Sequence, residues 1–218
     1  MFFAILFSFF LTGTAAADSN GKKGQGPAVE VDQAESIRLS QELEKLSKRN
    51  AWAGVERTYV ALVKTNGTLT RDDHIRGAHA AQALGKMAEA RSRLQLANQF
   101  GEDAQIMDWL WDIDSNYGRV FLAGDFETIG LKCLQMPFNP IQVKAVQYAI
   151  NQVAEKGVFE GLLPQGEYEI LTPEANSHSK SVHVMPRIQN IRIDLRTAQG
   201  LKLAEKKRRK EQRKNNKK

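Results

Sequence analysis

The sequence predicts an α+β protein: an N-terminal helical-repeat-like bundle followed by a small antiparallel β-sandwich-like domain with one inserted helix. Three observations carry this. Apolar residues recur at helical spacing from about Asp32 to Ser115. After Gly118 the spacing changes to that of strands. A single helical pattern returns between Pro140 and Lys156, with strand patterns on either side. The chain has 218 residues, 42% of them apolar and 26% charged, enough to bury a core without staples. That composition excludes collagen-like, low-complexity and disulfide-scaffold classes. The only cysteine, Cys133, allows no intramolecular disulfide, and its place in the alternating run Ile129, Leu131, Cys133 predicts a core position.

The first residues have their own pattern. Phe2 to Leu11 is an apolar run, followed by small residues that end in Ala15-x-Ala17. This is the pattern of a secretory signal peptide, with Asp18 opening the mature chain. The run is shorter than the roughly 20 residues a membrane span needs. No Lys or Arg precedes it, so an uncleaved anchor and a buried helix stay open beside the signal peptide. Residues 18–31 are polar and glycine-rich through Pro27 and read as a flexible leader.

Between residues 32 and 117 about five helices are expected. Leu39, Leu43 and Leu46 form the first stripe, and Trp52, Val55, Tyr59 and Leu62 the second, stopped by Asn66-Gly67. Thr70 opens the third helix, with Asp72 and Asp73 in its first turn, where the helix dipole favours them. That helix carries Ile75, Ala78, Ala81 and Leu84 and breaks near Gly85. Ala90, Leu94 and Ala97 mark the fourth helix, ending near Gly101. Ile106, Trp109, Leu110 and Ile113 mark the fifth, with Trp111 off the stripe.

Residues 118–197 are expected to be β-rich. Strands are predicted at Val120–Ala123, Ile129–Leu134, Glu167–Leu171, Ser181–Met185 and Gln189–Arg196. The inserted helix, 140–156, has Asn139 as N-cap, Pro140 in its first turn and Gln142 placed as in a capping box. Its buried stripe is Val146, Ala149, Ile150 and Val153, and Gly157 ends it.

Two stretches resemble known modules. Trp52-x2-Val55-Glu56-x2-Tyr59, with Ala83-Leu84-Gly85-Lys86-Met87-Ala88-Glu89-Ala90 and then Leu94 and Ala97, resembles the helices and tight turn of a tetratricopeptide repeat. That family prefers Gly where Glu56 stands. A generic stack of helical hairpins fits the same residues. Phe159-x-Gly161-Leu162-Leu163-Pro164-x-Gly166-x-Tyr168 resembles a turn in PEGA-type and carboxypeptidase-regulatory-like β-sandwich modules of bacterial envelopes. A plain β-hairpin turn also fits it. The first resemblance implies grooves for peptide segments, and the second a structural or adhesive element without catalysis.

No phosphate-binding loop, dinucleotide fingerprint or nucleophile elbow occurs in the sequence. His74 and His79 stand about 140° apart on a helix and form no two-histidine metal face. His178 and His183 fall on opposite faces of a continuous strand. Asp112-x-Asp114-x-Asn116 opens like a calcium loop, but Tyr117 stands where the turn glycine belongs and Ala123 where the closing Glu belongs. No catalytic residue, metal or cofactor is assigned.

The charge is uneven. The formal net charge is +6, yet residues 202–218 hold ten basic and two acidic residues, leaving the body slightly acidic. The tail, 198–218, is expected to be disordered. Lys206, Lys207, Arg208, Arg209 and Lys210 are its candidate anionic contacts, facing lipid head groups or an acidic envelope polymer, or serving only as a solubilising terminus. Export and the lack of interleaved aromatics argue against nucleic acid. The sequence therefore points to a periplasmic or extracellular, non-catalytic envelope protein that mediates protein–protein interaction or scaffolding. The alternative is a polyanion- or membrane-surface-binding protein acting through its tail, with no transmembrane span in the mature chain.

Overall fold

The computed structural model describes residues 33–65, 67–125, 129–172, 179–187, 190–197 and 206. Residues 1–32, which include the expected signal peptide and leader at 1–31, lie outside them, as do Lys207, Arg208, Arg209 and Lys210; Lys206 is described and exposed. The chain is a mixed α+β protein. Five helices come first: α1 (Gln33–Lys48), α2 (Trp52–Lys64), α3 (Arg71–Ala83), α4 (Met87–Asn98) and α5 (Ala104–Asn116). Then follow β1 (Tyr117–Ala123), β2 (Gly130–Cys133), α6 (Pro140–Lys156), β3 (Val158–Pro164), β4 (Gly166–Leu171), β5 (Lys180–Val184) and β6 (Ile191–Asp194).

The helix ends are set by local chemistry. Thr70 Oγ1 accepts the Asp73 N–H and Asp73 Oδ2 accepts the Thr70 N–H, a reciprocal capping box at α3. Asp103 caps α5 by accepting the N–H groups of Gln105 and Ile106. Asn139 caps α6 through the Ile141 N–H, and Gly157 ends that helix at φ 68°. Caps of this kind each stabilise by about 1 kcal/mol.

The helices bury their stripes against one another. Leu43, Val55, Leu62, Ala78, Ala81, Leu94, Ala97 and Ile113 are essentially inaccessible. Small residues let α2 and α3 approach closely: a Cβ at Gly77 would lie 2.5 Å from the Tyr59 ring. Inside this contact sits an ion pair. Arg93 donates to both carboxylate oxygens of Glu56, at 2.5 and 3.1 Å, and to the Gly77 carbonyl at 2.7 Å. Lys86 Nζ adds a bond to Glu56 at 2.8 Å. The Arg93 guanidinium also lies 4.1 Å from the centre of the Tyr59 ring, and the Tyr59 hydroxyl is bonded to His74 Nδ1 at 2.9 Å.

The strands form two three-stranded sheets, β3-β1-β6 and β2-β4-β5. The second sheet is antiparallel throughout. In the first, β1 runs antiparallel to β3 but parallel to β6, from Val120↔Ile191 to Ala123↔Asp194. That pairing departs from the all-antiparallel expectation. Alternation in a strand reports which face is wet; it says nothing of the direction of its neighbour. Both sheets and α6 share one core, including Leu122, Leu131, Val146, Val153, Phe159, Tyr168, Val184 and Ile193. A second cluster joins Ala78, Met87, Leu94 and Ile113 of the helices to Tyr117 of β1 and Ala145 of α6. The α3–α4 turn reaches α6 directly: Gly85, at φ 79°, has the Lys144 carbonyl where a Cβ would be. Cys133 is half-buried against the first core, its Sγ donating to the Gln135 carbonyl at 3.2 Å. Burial pushes its thiol pKa up, which makes it a poor nucleophile.

Strand β3 is absent from the sequence-based assignment, which gives this stretch only a turn. The physical reason is Gly161. It occupies the inward position between Phe159 and Leu163, and the Phe159 ring fills the space its Cβ would take, at 2.7 Å. The alternation is thus complete in space but broken in the text of the sequence.

The following turn, Pro164-Gln165-Gly166, carries the chain from one sheet to the other, so it is a corner between sheets rather than a hairpin. The Gln165 N–H is bonded to the Asn116 carbonyl at 3.0 Å, tying the corner to the end of α5. Gly166 adopts φ 151°, a region that side chains disfavour, while the nearest atom to an added Cβ is 3.9 Å away. Gly166→Ala is therefore expected to cost about 1–3 kcal/mol through backbone conformation alone. Urea denaturation measures this, and a loss below about 0.5 kcal/mol would remove the corner's special status.

Candidate functional site

Two helices present a second face besides the one they bury. On α4, Ala88, Arg91, Ser92 and Gln95 follow at helical spacing, and on α5 so do Met107, Leu110, Trp111 and Asp114. These two faces form the walls of a cleft of about 910 Å³. Tyr117, Arg119 and Leu162 from β1 and β3 line it further, with Arg187 and Asn190 from the segment after β5. Such a volume lies in the range of ligand-binding clefts.

Arg187 arrives there by a traceable route. Gly118 has no Cβ, and the Met185 carbonyl passes where one would stand, at 2.6 Å. The chain then turns through Arg187, a non-glycine residue at φ 59°. A side chain in that conformation is strained, and its surroundings must hold it. The Arg187 guanidinium donates to Ser115 Oγ at 2.8 Å and lies 5.6 Å from the Trp111 ring centre.

The electrostatics are one-sided. Arg91 grips Asp114 with two bonds, at 2.6 and 2.9 Å. Those bonds hold the Asp114 carboxyl below its ordinary range, outweighing the opposing effect of burial. Arg119 stands 3.9 Å from Glu160, beyond hydrogen-bond range. Among the described lining residues, three guanidinium groups therefore stand beside one carboxylate, which Arg91 already holds. Trp111 is 64% exposed and Met107 50% exposed, next to these charges.

The residues singled out in the sequence lie elsewhere. Lys206 is not among the described lining residues. His79 sits between Trp52 and Trp109, its ring centre 6.3 and 4.5 Å from theirs, and burial lowers its pKa. His183 is on β5, 3.9 Å from Glu167, and His178 falls outside the described residues. Asn116 Nδ2 donates to the backbone carbonyl and side chain of Asp112, and Asp114 accepts from Arg91, so these polar groups of the Asp112–Asn116 stretch are engaged by protein partners. Among the described residues, no group of three or more His, Cys, Asp or Glu side chains could hold a metal ion. No described helix is long and apolar enough to cross a membrane. The cleft itself escaped sequence reasoning; its one legible sign is Trp111, a large aromatic off the buried stripe of its helix.

Comparison with protein-family models, with curated proteins and with solved structures finds no match to this chain.

Proposed function

We propose that this chain is a non-catalytic binding protein of the cell envelope that holds a segment of a partner protein in the α4–α5 cleft. The exposed Trp111 that lines that cleft carries the reading. Indole and guanidinium groups are the side chains that most often dominate binding energy at protein interfaces, and here they stand together, with Met107 and Leu110 beside them. The polar groups of the cleft suit binding rather than catalysis: guanidiniums, Gln95, Ser92, and a carboxylate already bound by Arg91. The tetratricopeptide-like spacing of Trp52, Val55 and Tyr59 is consistent with a peptide-holding helical stack.

The test is site-specific photo-crosslinking in the native host. A photoreactive residue at Gln95, in the cleft, is expected to capture one discrete protein, and the same group at Ile37 on α1 is not. Trp111→Ala should abolish the Gln95 adduct while leaving stability within about 0.5 kcal/mol, because Trp111 is mostly in solvent. Equal capture at both positions, or capture indifferent to Trp111, refutes the reading. Export rests on the apolar run and Ala15-x-Ala17. N-terminal sequencing of the native protein is expected to begin at Asp18, and an intact Met1 on a cytoplasmic protein would end that part of the proposal.

A further inference from the structure

We infer that the segment held in the α4–α5 cleft is an acidic peptide with a bulky apolar side chain beside its carboxylates; this rests on the cleft being a partner-binding site. The carboxylates meet Arg187 and Arg119, and the apolar side chain covers Trp111 and Met107.

Charge complementarity selects this occupant. Of the three cleft arginines, Arg91 is matched by the two oxygens of Asp114. Arg187 donates to a neutral hydroxyl, Ser115 Oγ, and shares the field of the Asp114 carboxylate with Arg91, so one carboxylate faces two guanidiniums whose N–H donors outnumber its acceptors. Arg119 has its side chain 64% exposed, with Glu160 no nearer than 3.9 Å. The lining thus carries an excess of positive charge, and a carboxylate can receive paired N–H bonds from a guanidinium plane. The bond to Ser115 and the Trp111 ring, its centre 5.6 Å away, hold the Arg187 guanidinium beside the indole, and a donor already placed lowers the ordering cost of binding.

The apolar part of the cleft decides between kinds of acid. Met107, Leu110 and Leu162 line it beside the indole. Aliphatic walls suit the side chain of a peptide, whereas a phosphate polymer gains its affinity from repeated backbone contacts along a basic track. The chain's own basic run, Lys206 to Lys210, would be repelled by this lining and is not the occupant.

Fluorescence anisotropy on the full chain tests the inference with three labelled peptides. Each has the same central Phe-Leu pair, flanked by glutamates, glutamines or lysines. The glutamate peptide is expected to bind at least tenfold tighter than the glutamine peptide, and more weakly as salt rises; the lysine peptide is expected not to bind. Arg187→Gln and Arg119→Gln should each weaken the glutamate peptide several-fold and bring it towards the glutamine one. Arg119→Lys keeps the charge but not the paired N–H geometry and should weaken the glutamate peptide less than Arg119→Gln does. If the glutamine peptide binds as well as the glutamate peptide, and Trp111→Ala weakens both, the acidic partner is refuted while the cleft remains a docking site. A single-stranded oligonucleotide that binds more tightly than the glutamate peptide also overturns the inference. If none of the three peptides binds, the acidic-peptide inference falls, and the Gln95 crosslink decides separately whether the cleft binds anything.

Discussion

Tyr168→Ala is expected to destabilise the protein by about 3–5 kcal/mol, the range for removing a large aromatic from a core. The residue is 1% exposed and sits in β4, opposite Cys133 on one neighbouring strand and Val182 on the other. Its hydroxyl donates to the Pro164 carbonyl at 2.9 Å, across the corner that changes sheets. The ring therefore fills the core and latches the turn that precedes it. Tyr168→Phe separates the two roles: it keeps the ring and should cost only about 1 kcal/mol, the net worth of one hydrogen bond. Guanidinium denaturation of both variants beside Trp111→Ala provides the scale. A neutral Tyr168→Ala, or a Trp111→Ala that proved worse, would contradict the arrangement of this core.

A loss of similar size is expected at the ion pair inside the helices. Glu56 and Arg93 are each 7% exposed. Glu56→Gln leaves the Arg93 guanidinium buried without its counter-charge, which should cost about 3–5 kcal/mol. Arg93→Met should cost less, because Lys86 still neutralises Glu56. The double variant Glu56→Leu with Arg93→Met should recover much of the loss, since an apolar pair of similar volume needs no desolvation of charge. If the double variant is as unstable as the sum of the singles, the two residues act independently and the pairing argument fails. The same pair predicts a pH dependence. Burial raises the Glu56 pKa, but the bonds from Arg93 and Lys86 outweigh it and hold the carboxyl below its ordinary 4.5. The folded state thus binds that proton less readily than the unfolded one. Its contribution to stability is complete above about pH 4.5 and is lost as pH falls through the lower folded value. Glu56→Gln should flatten that part of the stability curve, as thermal melts between neutral and acidic pH would register.

The legible parts of this fold are those decided by neighbours in sequence. Thr70 and Asn139 mark helix starts because a cap needs only the next few residues. Leu39, Leu43, Val55 and Leu62 mark buried faces because a helix repeats locally. The illegible parts depend on what the chain brings together over distance. Glu56 and Arg93 read as ordinary helix-surface charges until α2 and α4 meet; the only sequence sign is that Glu56 stands where a repeat of the resembled kind favours Gly. The parallel pairing of β1 with β6 joins residues about seventy apart. Arg187 enters the cleft because Gly118 lets the Met185 backbone pass, a relation that no local pattern encodes.

The shared cluster of Tyr117, Ala145 and the helices has an architectural consequence. A stack of helical pairs always has a last apolar face, and extended arrays close it with a terminal unit whose outer side is polar. Here Tyr117, Leu162 and Ala145 lie against the cluster built by Ala78, Met87, Leu94 and Ile113, and the Gly85 turn abuts the backbone of α6. The sheet-and-helix portion thus covers the apolar face that the helices present at this end. Another helical pair inserted after α5 would have to lift β1 away from that face, so the β-rich portion closes the helical one at this end.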